Sequence, residues 1–290
     1  MPIQKTTHEY KRINGCSIEA DVYLARQPRS PAVLYLHGGA LIFGDRQGTR
    51  AWQVELLNEA GFTVVSADYR LAPETNLMDI MGDVRDAMAW VTGEAAEQLG
   101  FDGRRVAVMG SSAGGYLSLM TGTFGVRPRA IVSFFGYGDI LNEWYCRPSE
   151  HYCQQPLVSR EEALRAVGVK EITAGEFSRF AYYLYTRQQG NWVQSVSGLH
   201  LEEDREKLLA YCPELLARPD YPPTMLLHGD ADTDVPYGQS VAMHARLRDL
   251  GVECQLVTMP GMGHSFDQDG TNPEVQRAME QVLTFLRKHV

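Results

Sequence analysis

Basic residues are scarce relative to acidic ones: 27 Lys and Arg face 36 Asp and Glu, a net charge of −9 at pH 7. Attraction to a phosphate backbone or to anionic lipid needs clustered Lys and Arg, so neither nucleic acid nor a membrane surface is an expected partner. Long apolar runs are also missing. Nothing approaches the roughly 20 apolar residues of a membrane helix, so no membrane span is expected. The first fifteen residues lack a basic start followed by an apolar stretch, so they do not read as a secretory leader, and a cytoplasmic location is the expectation. Cysteines are few: Cys16, Cys146, Cys153, Cys212 and Cys254 are an odd number without CxxC spacing. That argues against a disulfide frame and against a metal site; Cys146 and Cys153, close together, are the one pair left open. What is present is 44% hydrophobic and 10% aromatic residues, enough to bury a large core and to exclude a disordered chain.

The order of periodic segments sets the fold class. Alternating segments at 6–13 and 16–24 flank Asn14-Gly15, the strongest short hairpin signal. Continuous apolar runs follow at 32–36, 62–67, 105–109, 130–135, 224–227 and 253–258. Such runs suit parallel strands covered on both faces. Between them lie helical patterns at 52–60, 77–98, 115–121, 237–250 and 273–290. The expected architecture is α/β, a mostly parallel sheet of about eight strands flanked by helices, with an antiparallel edge hairpin. Residues 141–223 break the rhythm, far longer than an ordinary strand connection. They carry expected helices at 159–167, 175–188 and 202–216 and many aromatics. The expected organisation is a core of residues 1–140 and 221–290 with a helical cap, residues 141–220, over one end of the sheet.

Gly110-Ser111-Ser112-Ala113-Gly114 stands between an expected strand and an expected helix. A G-x-S-x-G there forces a sharp turn that lifts the central serine out of the backbone and faces it to helix amides. Ser112 is the candidate nucleophile; the bland alternative is a helix cap. His37-Gly38-Gly39-Ala40 follows another strand. The amides of Gly38, Gly39 and Ala113 could hold an oxyanion, because adjacent glycines let the main chain approach a substrate. His37 reads as a prop for that loop. A serine hydroxyl needs an imidazole to take its proton, and the imidazole needs a carboxylate to fix its tautomer. Among eight histidines, His264 alone lies in a glycine-rich loop between the last strand and the last helix, and it is the expected base. His228 ends a strand, where a buried ring bonded to backbone is expected. Asp230, Asp232 and Asp234 compete for the acid, and spacing does not choose among them.

His37-Gly38-Gly39, Tyr69-Arg70-Leu71-Ala72-Pro73-Glu74, Gly110-Ser111-Ser112-Ala113-Gly114, Asp232-x-x-Val235-Pro236 and Gly263-His264-Ser265-Phe266 occur in the order seen in the α/β-hydrolase superfamily. The chain most resembles hormone-sensitive-lipase-like serine carboxylesterases, over nearly everything but the insertion. The resemblance implies a triad of Ser112, Asp232 and His264, with Asp230 bracing the loop, Asp234 exposed, and Tyr69 to Glu74 bracing the oxyanion region. It implies hydrolysis of small or aromatic carboxylic esters through an acyl-enzyme, with no cofactor. Amidase, peptidase, formamidase and carbohydrate acyl esterase are its rivals, and a non-catalytic ligand-binding member is a distant one. Pairing through the sheet edge in a relative makes a homodimer an expectation. Three departures stand out. Only 36 residues precede His37, so the cap must come from mid-chain; Ala40 replaces the third glycine; and Ser111 replaces the usual aspartate. Trp144, Tyr183 and Trp192 are the candidates to line a substrate pocket.

Overall fold

A computed structural model describes residues 4–290. The chain opens with strands β1 (Lys5–Ile13) and β2 (Cys16–Tyr23), joined by Asn14 and Gly15, both at positive φ. That is the turn geometry which matches the right-handed twist of a hairpin. There follow β3 (Ala32–Leu36), α1 (Ala51–Glu59), β4 (Thr63–Ala67), α2 (Leu77–Thr92), α3 (Glu94–Leu99), β5 (Val106–Ser111), α4 (Ala113–Thr121) and β6 (Ala130–Phe134). Six short helices come next: α5 (Glu143–Cys146), α6 (Arg160–Ala163), α7 (Phe180–Gln189), α8 (Trp192–Ser197), α9 (Arg205–Leu209) and α10 (Pro213–Leu216). The chain closes with β7 (Thr224–Gly229), α11 (Gly238–Asp249), β8 (Cys254–Met259) and α12 (Pro273–His289).

The eight strands form one sheet in the order β1-β2-β4-β3-β5-β6-β7-β8. β1 pairs antiparallel with β2 and β2 with β4; every later pairing is parallel. The expected α/β sheet with its antiparallel edge is borne out. β3 through β7 are buried along their whole length, which is why their sequences read as unbroken apolar runs. Within such a run successive residues still serve opposite faces. Val33 and Tyr35 pack with Val54 of α1 and Val282 of α12, whereas Leu34 and Leu36 pack with Ile80 and Val84 of α2 and Leu117 of α4. The loops carrying His37, Ser112, Asp232 and His264 all leave the C-terminal ends of parallel strands, the end at which open α/β sheets build sites.

Helix boundaries differ from expectation where local geometry intervenes. The segment 77–98 is two helices divided at Gly93. The segment 202–216 divides because Pro213, which has no N–H to donate, opens α10 and cannot continue α9. The stretch 159–167 keeps only one α-turn, and the helix expected from 175 begins at Phe180 after a 3-10 turn. α8, six residues long between the left-handed caps Gly190 and Gly198, is too short to leave a periodic signal.

Three arginine ion pairs tie residues 141–220 or their neighbours to the rest of the fold. Arg70 meets Glu171 at 2.7 Å, Arg179 meets Glu74 at 2.6 Å and Arg187 meets Asp234 at 2.7 Å. The five cysteines are free thiols; Cys146 and Cys153 face different backbone carbonyls, those of Ile140 and Gln188. Among the described residues no helix is long and apolar enough to cross a membrane.

Candidate active site

β5 ends at Ser111 and α4 starts at Ala113, so one residue makes the whole turn. Ser112 does so at φ 55°, ψ −120°, a region that costs a side-chain-bearing residue energy and persists only when its surroundings enforce it. The enforcement comes from close packing against β3. A Cβ on Gly114 would lie 1.9 Å from the Leu36 carbonyl oxygen, and one on Gly110 would lie 2.4 Å from that of Gly114. The Ser112 amide donates to the Phe134 carbonyl at 2.9 Å. Ser111, in place of the familiar acid, is buried and lies 3.2 Å from the Tyr35 hydroxyl.

Three of the expected residues converge on this turn. His264 Nε2 lies 3.0 Å from Ser112 Oγ, and His264 Nδ1 lies 2.7 Å from Asp232 Oδ2. The Asp232 carboxylate is fully buried, and its other oxygen accepts the backbone amides of Asp234 and Val235 at 2.8 and 2.9 Å. Burial alone would raise its carboxyl. The hydrogen bonds from His228 and His264 outweigh burial and hold it well below the usual carboxylate range. His228 is a member of the site that the sequence did not assign: its Nε2 is 3.3 Å from Asp232 Oδ2 and 3.0 Å from the Val235 carbonyl, while Nδ1 faces Ser240 Oγ at 2.7 Å. For His264, burial pushes the imidazole down; Asp234, then Asp232, more than offset it, so its net shift is upward.

The other two aspartates separate. Asp230 is exposed and accepts the Gly261 amide at 2.6 Å, which ties the acid loop to the loop carrying His264. Asp234 is not exposed, a correction to the reading from resemblance. Its carboxylate accepts Tyr183 Oη at 2.5 Å and Arg187 Nη1 at 2.7 Å. No spacing rule links residues 183 and 187 to 234, so only the folded chain reveals the contact.

The glycine loop is held by its neighbours. Among the described residues, none of Gly38, Gly39 and Ala113 donates its N–H in a loop, turn or capping hydrogen bond. Gly39 sits at φ +111° with the Phe43 carbonyl oxygen 1.9 Å from where a Cβ would be, so glycine is required there. His37 stacks on Tyr69 at 4.2 Å and its Nδ1 lies 2.7 Å from the Gly38 carbonyl; the Tyr69 hydroxyl donates to the His37 carbonyl at 2.8 Å. Ala72 donates its amide to the Leu41 carbonyl at 2.8 Å. His37 is therefore a buried prop, and burial lowers its imidazole to about 4. The sign of the consequence is fixed. An unfolded chain takes up this proton near pH 6.5 and the folded one only near 4, so stability is lost as pH falls from 6.5 toward 4. Thermal melts across that range should show wild type losing more stability on acidification than His37→Asn; parallel curves would contradict this.

The three aromatic candidates fare differently. Trp192 has no exposed surface. It stacks on Tyr145 at 3.9 Å and its indole N–H donates to the Ala40 carbonyl at 3.1 Å. Its place in a pocket lining is corrected: it braces the glycine loop, where Ala40 itself holds a positive φ of 55°. Tyr183 is likewise buried, with its hydroxyl committed to Asp234. Trp144 is half-buried and stacks on Tyr145 at 3.5 Å. Phe43, which follows the glycine loop and went unnoticed in the sequence, meets Phe177, Phe180 and Tyr183 edge-on at 6.0, 6.1 and 6.3 Å. Phe177 is 72% exposed.

Strand order, the Ser112 turn and the placement of the loops make this an α/β-hydrolase fold, as the motifs implied. Solved structures agree in fold. An α/β-hydrolase superfamily protein from Enterococcus faecalis has a TM-score of 0.80 at 23% identity, covering 99% of this chain and 100% of that one. Esterase 2 of Thermogutta terrifontis, phosphonylated by sarin, has a TM-score of 0.71 at 22% identity, covering 98% and 94%. The chain belongs to the BD-FAE family, whose model matches residues 20–247. Curated relatives include the non-reducing polyketide synthases ausA of Aspergillus calidoustus, 28% identical over 100% of this chain, and Preu6 of Preussia isomera, 28% identical over 91%. The chain spans 14% of the length of each.

Proposed function

We propose that the protein is a serine carboxylesterase acting on small or aromatic carboxylic esters, with Ser112, His264 and Asp232 as its triad. The observation that carries this reading is the unbroken relay from Ser112 Oγ through both ring nitrogens of His264 to Asp232, at 3.0 and 2.7 Å. Asp232 fixes the tautomer in which Nδ1 bears the proton, leaving the Nε2 lone pair on the hydroxyl. His264 takes the Ser112 proton as Oγ attacks the ester carbonyl carbon. The negative oxygen that forms is held by the amides of Gly38, Gly39 and Ala113, a type of contact worth about 2.7 to 4 kcal/mol per donor. The C–O bond to the alcohol breaks as His264 returns the proton to the leaving oxygen. Water, deprotonated by the same nitrogen, then attacks the acyl-enzyme and releases the acid.

Residues 141–220 serve as a cap in this reading. Phe43 and Phe177 offer aromatic surface beside the glycine loop, and half-buried Trp144 stacks on Tyr145; such surface suits a small or aromatic acyl or alcohol group.

The test is hydrolysis of p-nitrophenyl acetate as a function of pH. Only neutral His264 can accept the serine proton, and its shift is upward from 6.5. We expect kcat/KM to fall as pH drops, with its midpoint above 6.5. No hydrolysis of any short p-nitrophenyl ester would overturn the assignment.

A further inference from the structure

His264 Nε2 has a second neighbour besides Ser112. Asp234 Oδ2 lies 3.5 Å away, just beyond a hydrogen bond, and its carboxylate is only 15% exposed. What holds it off is visible in its other contacts. Oδ1 accepts Arg187 Nη1 at 2.7 Å and the Tyr183 hydroxyl at 2.5 Å, while Arg187 Nη2 donates to the Asp234 backbone carbonyl at 3.1 Å. The Asp234 amide is in turn fixed on Asp232. Arg187 is 3% exposed and enclosed by the rings of Trp144, Tyr145, Tyr152 and Tyr183, with its guanidinium carbon 4.9 to 5.6 Å from their centres.

This arrangement bears on a competition at one atom. A carboxylate free to move half an ångström would bond a protonated Nε2, and the imidazolium would then rest between Asp232 and Asp234 with no lone pair for Ser112. A guanidinium and a phenol on the far oxygen oppose that move. They fix the carboxylate in place and withdraw its charge. The other charged groups facing His264 are Asp232, directly bonded, and the buried Asp267 three residues on. Phe135, 4.7 Å from the ring, adds no charge.

We propose that Arg187 and Tyr183, on α7, are positioning residues that act through Asp234 to keep His264 neutral and turned to Ser112. The proposal rests on the triad reading above and deepens it. It means that the helical segment, through one buried guanidinium, sets the pH at which the base becomes available.

The experiment is a pH profile of kcat/KM on p-nitrophenyl acetate for wild type, Arg187→Met, Asp234→Asn and the double variant. With Arg187 gone, the acid limb should move up by about one pH unit, costing about tenfold on its acidic side, with recovery at higher pH. Adding Asp234→Asn should bring the limb back to or below its wild-type position and recover that loss. A purely structural Arg187 would lower activity equally at all pH values, and Asp234→Asn would not rescue it; either result overturns the proposal. Should Arg187→Met fail to fold, Tyr183→Phe decides alone: an upward limb supports the proposal and an unmoved limb overturns it. Failure of the triad reading itself would look different, since Ser112→Ala would then retain turnover.

Discussion

Ser112→Ala should lower kcat on a p-nitrophenyl ester by a factor on the order of 10⁶, and His264→Ala should lower it by as much. The two losses should not add, because each breaks the same proton relay: without Nε2 the hydroxyl keeps its proton, and without Oγ there is nothing to activate. Residual turnover of about 10³ to 10⁴ over water should survive through the oxyanion amides and binding alone. The Ser112 turn also predicts a stability effect with the opposite sign. Its φ of 55° favours glycine, so Ser112→Gly should be inactive yet more stable than Ser112→Ala, by about 1 kcal/mol. Thermal melts of the two inactive variants compare them, and a glycine variant clearly less stable than alanine would mean that the turn is not strained.

The largest loss of stability is expected from Arg179→Met. Arg179 is almost wholly buried and reaches five acceptors: both oxygens of Glu74 at 2.6 and 2.9 Å, and the carbonyls of Ile42, Ala72 and Ala166 at 2.6, 2.7 and 2.8 Å. One side chain thus joins the helical segment to the glycine loop and to the segment that braces it. Methionine of similar length leaves Glu74, itself 1% exposed, as a buried unpaired charge, and breaking such a pair costs about 3 to 5 kcal/mol. Glu74→Gln in the same chain should return part of that loss, because the uncompensated charge is gone while the carbonyls still lack their donor. Denaturant unfolding of the three variants measures this. An Arg179→Met protein as stable as wild type would mean that the segment is held by its aromatic packing alone.

These two predictions divide along what the linear chain makes legible. Strands β3 to β7 were readable because burial on both faces leaves short continuous apolar runs, and the hairpin because Asn14-Gly15 fits one turn type. The turn at Ser112 was readable because glycines at 110 and 114 are needed where the start of α4 presses on the end of β3. The choice of acid was different: the spacing of Asp230, Asp232 and Asp234 did not separate them, and resemblance alone pointed to Asp232. The arginine pairs were invisible. Arg179 and Glu74 are 105 residues apart, and Arg187 and Asp234 are 47 apart, with no periodicity to connect them. The insertion was legible as an interruption but not in its details, since helices of four to six residues such as α5, α8 and α10 complete too few turns to show a face. Trp192 misled for a related reason: a tryptophan that braces a loop and one that lines a pocket have the same letter.

Peptide mass mapping after reaction with an aryl fluorophosphonate tests the proposed relay most directly. Wild type should take up one phosphonyl group, on Ser112, and the adduct should fail to form at a comparable rate in His264→Ala. Labelling of a different residue, or of Ser112 at an undiminished rate without the imidazole, would contradict an activated serine at this turn.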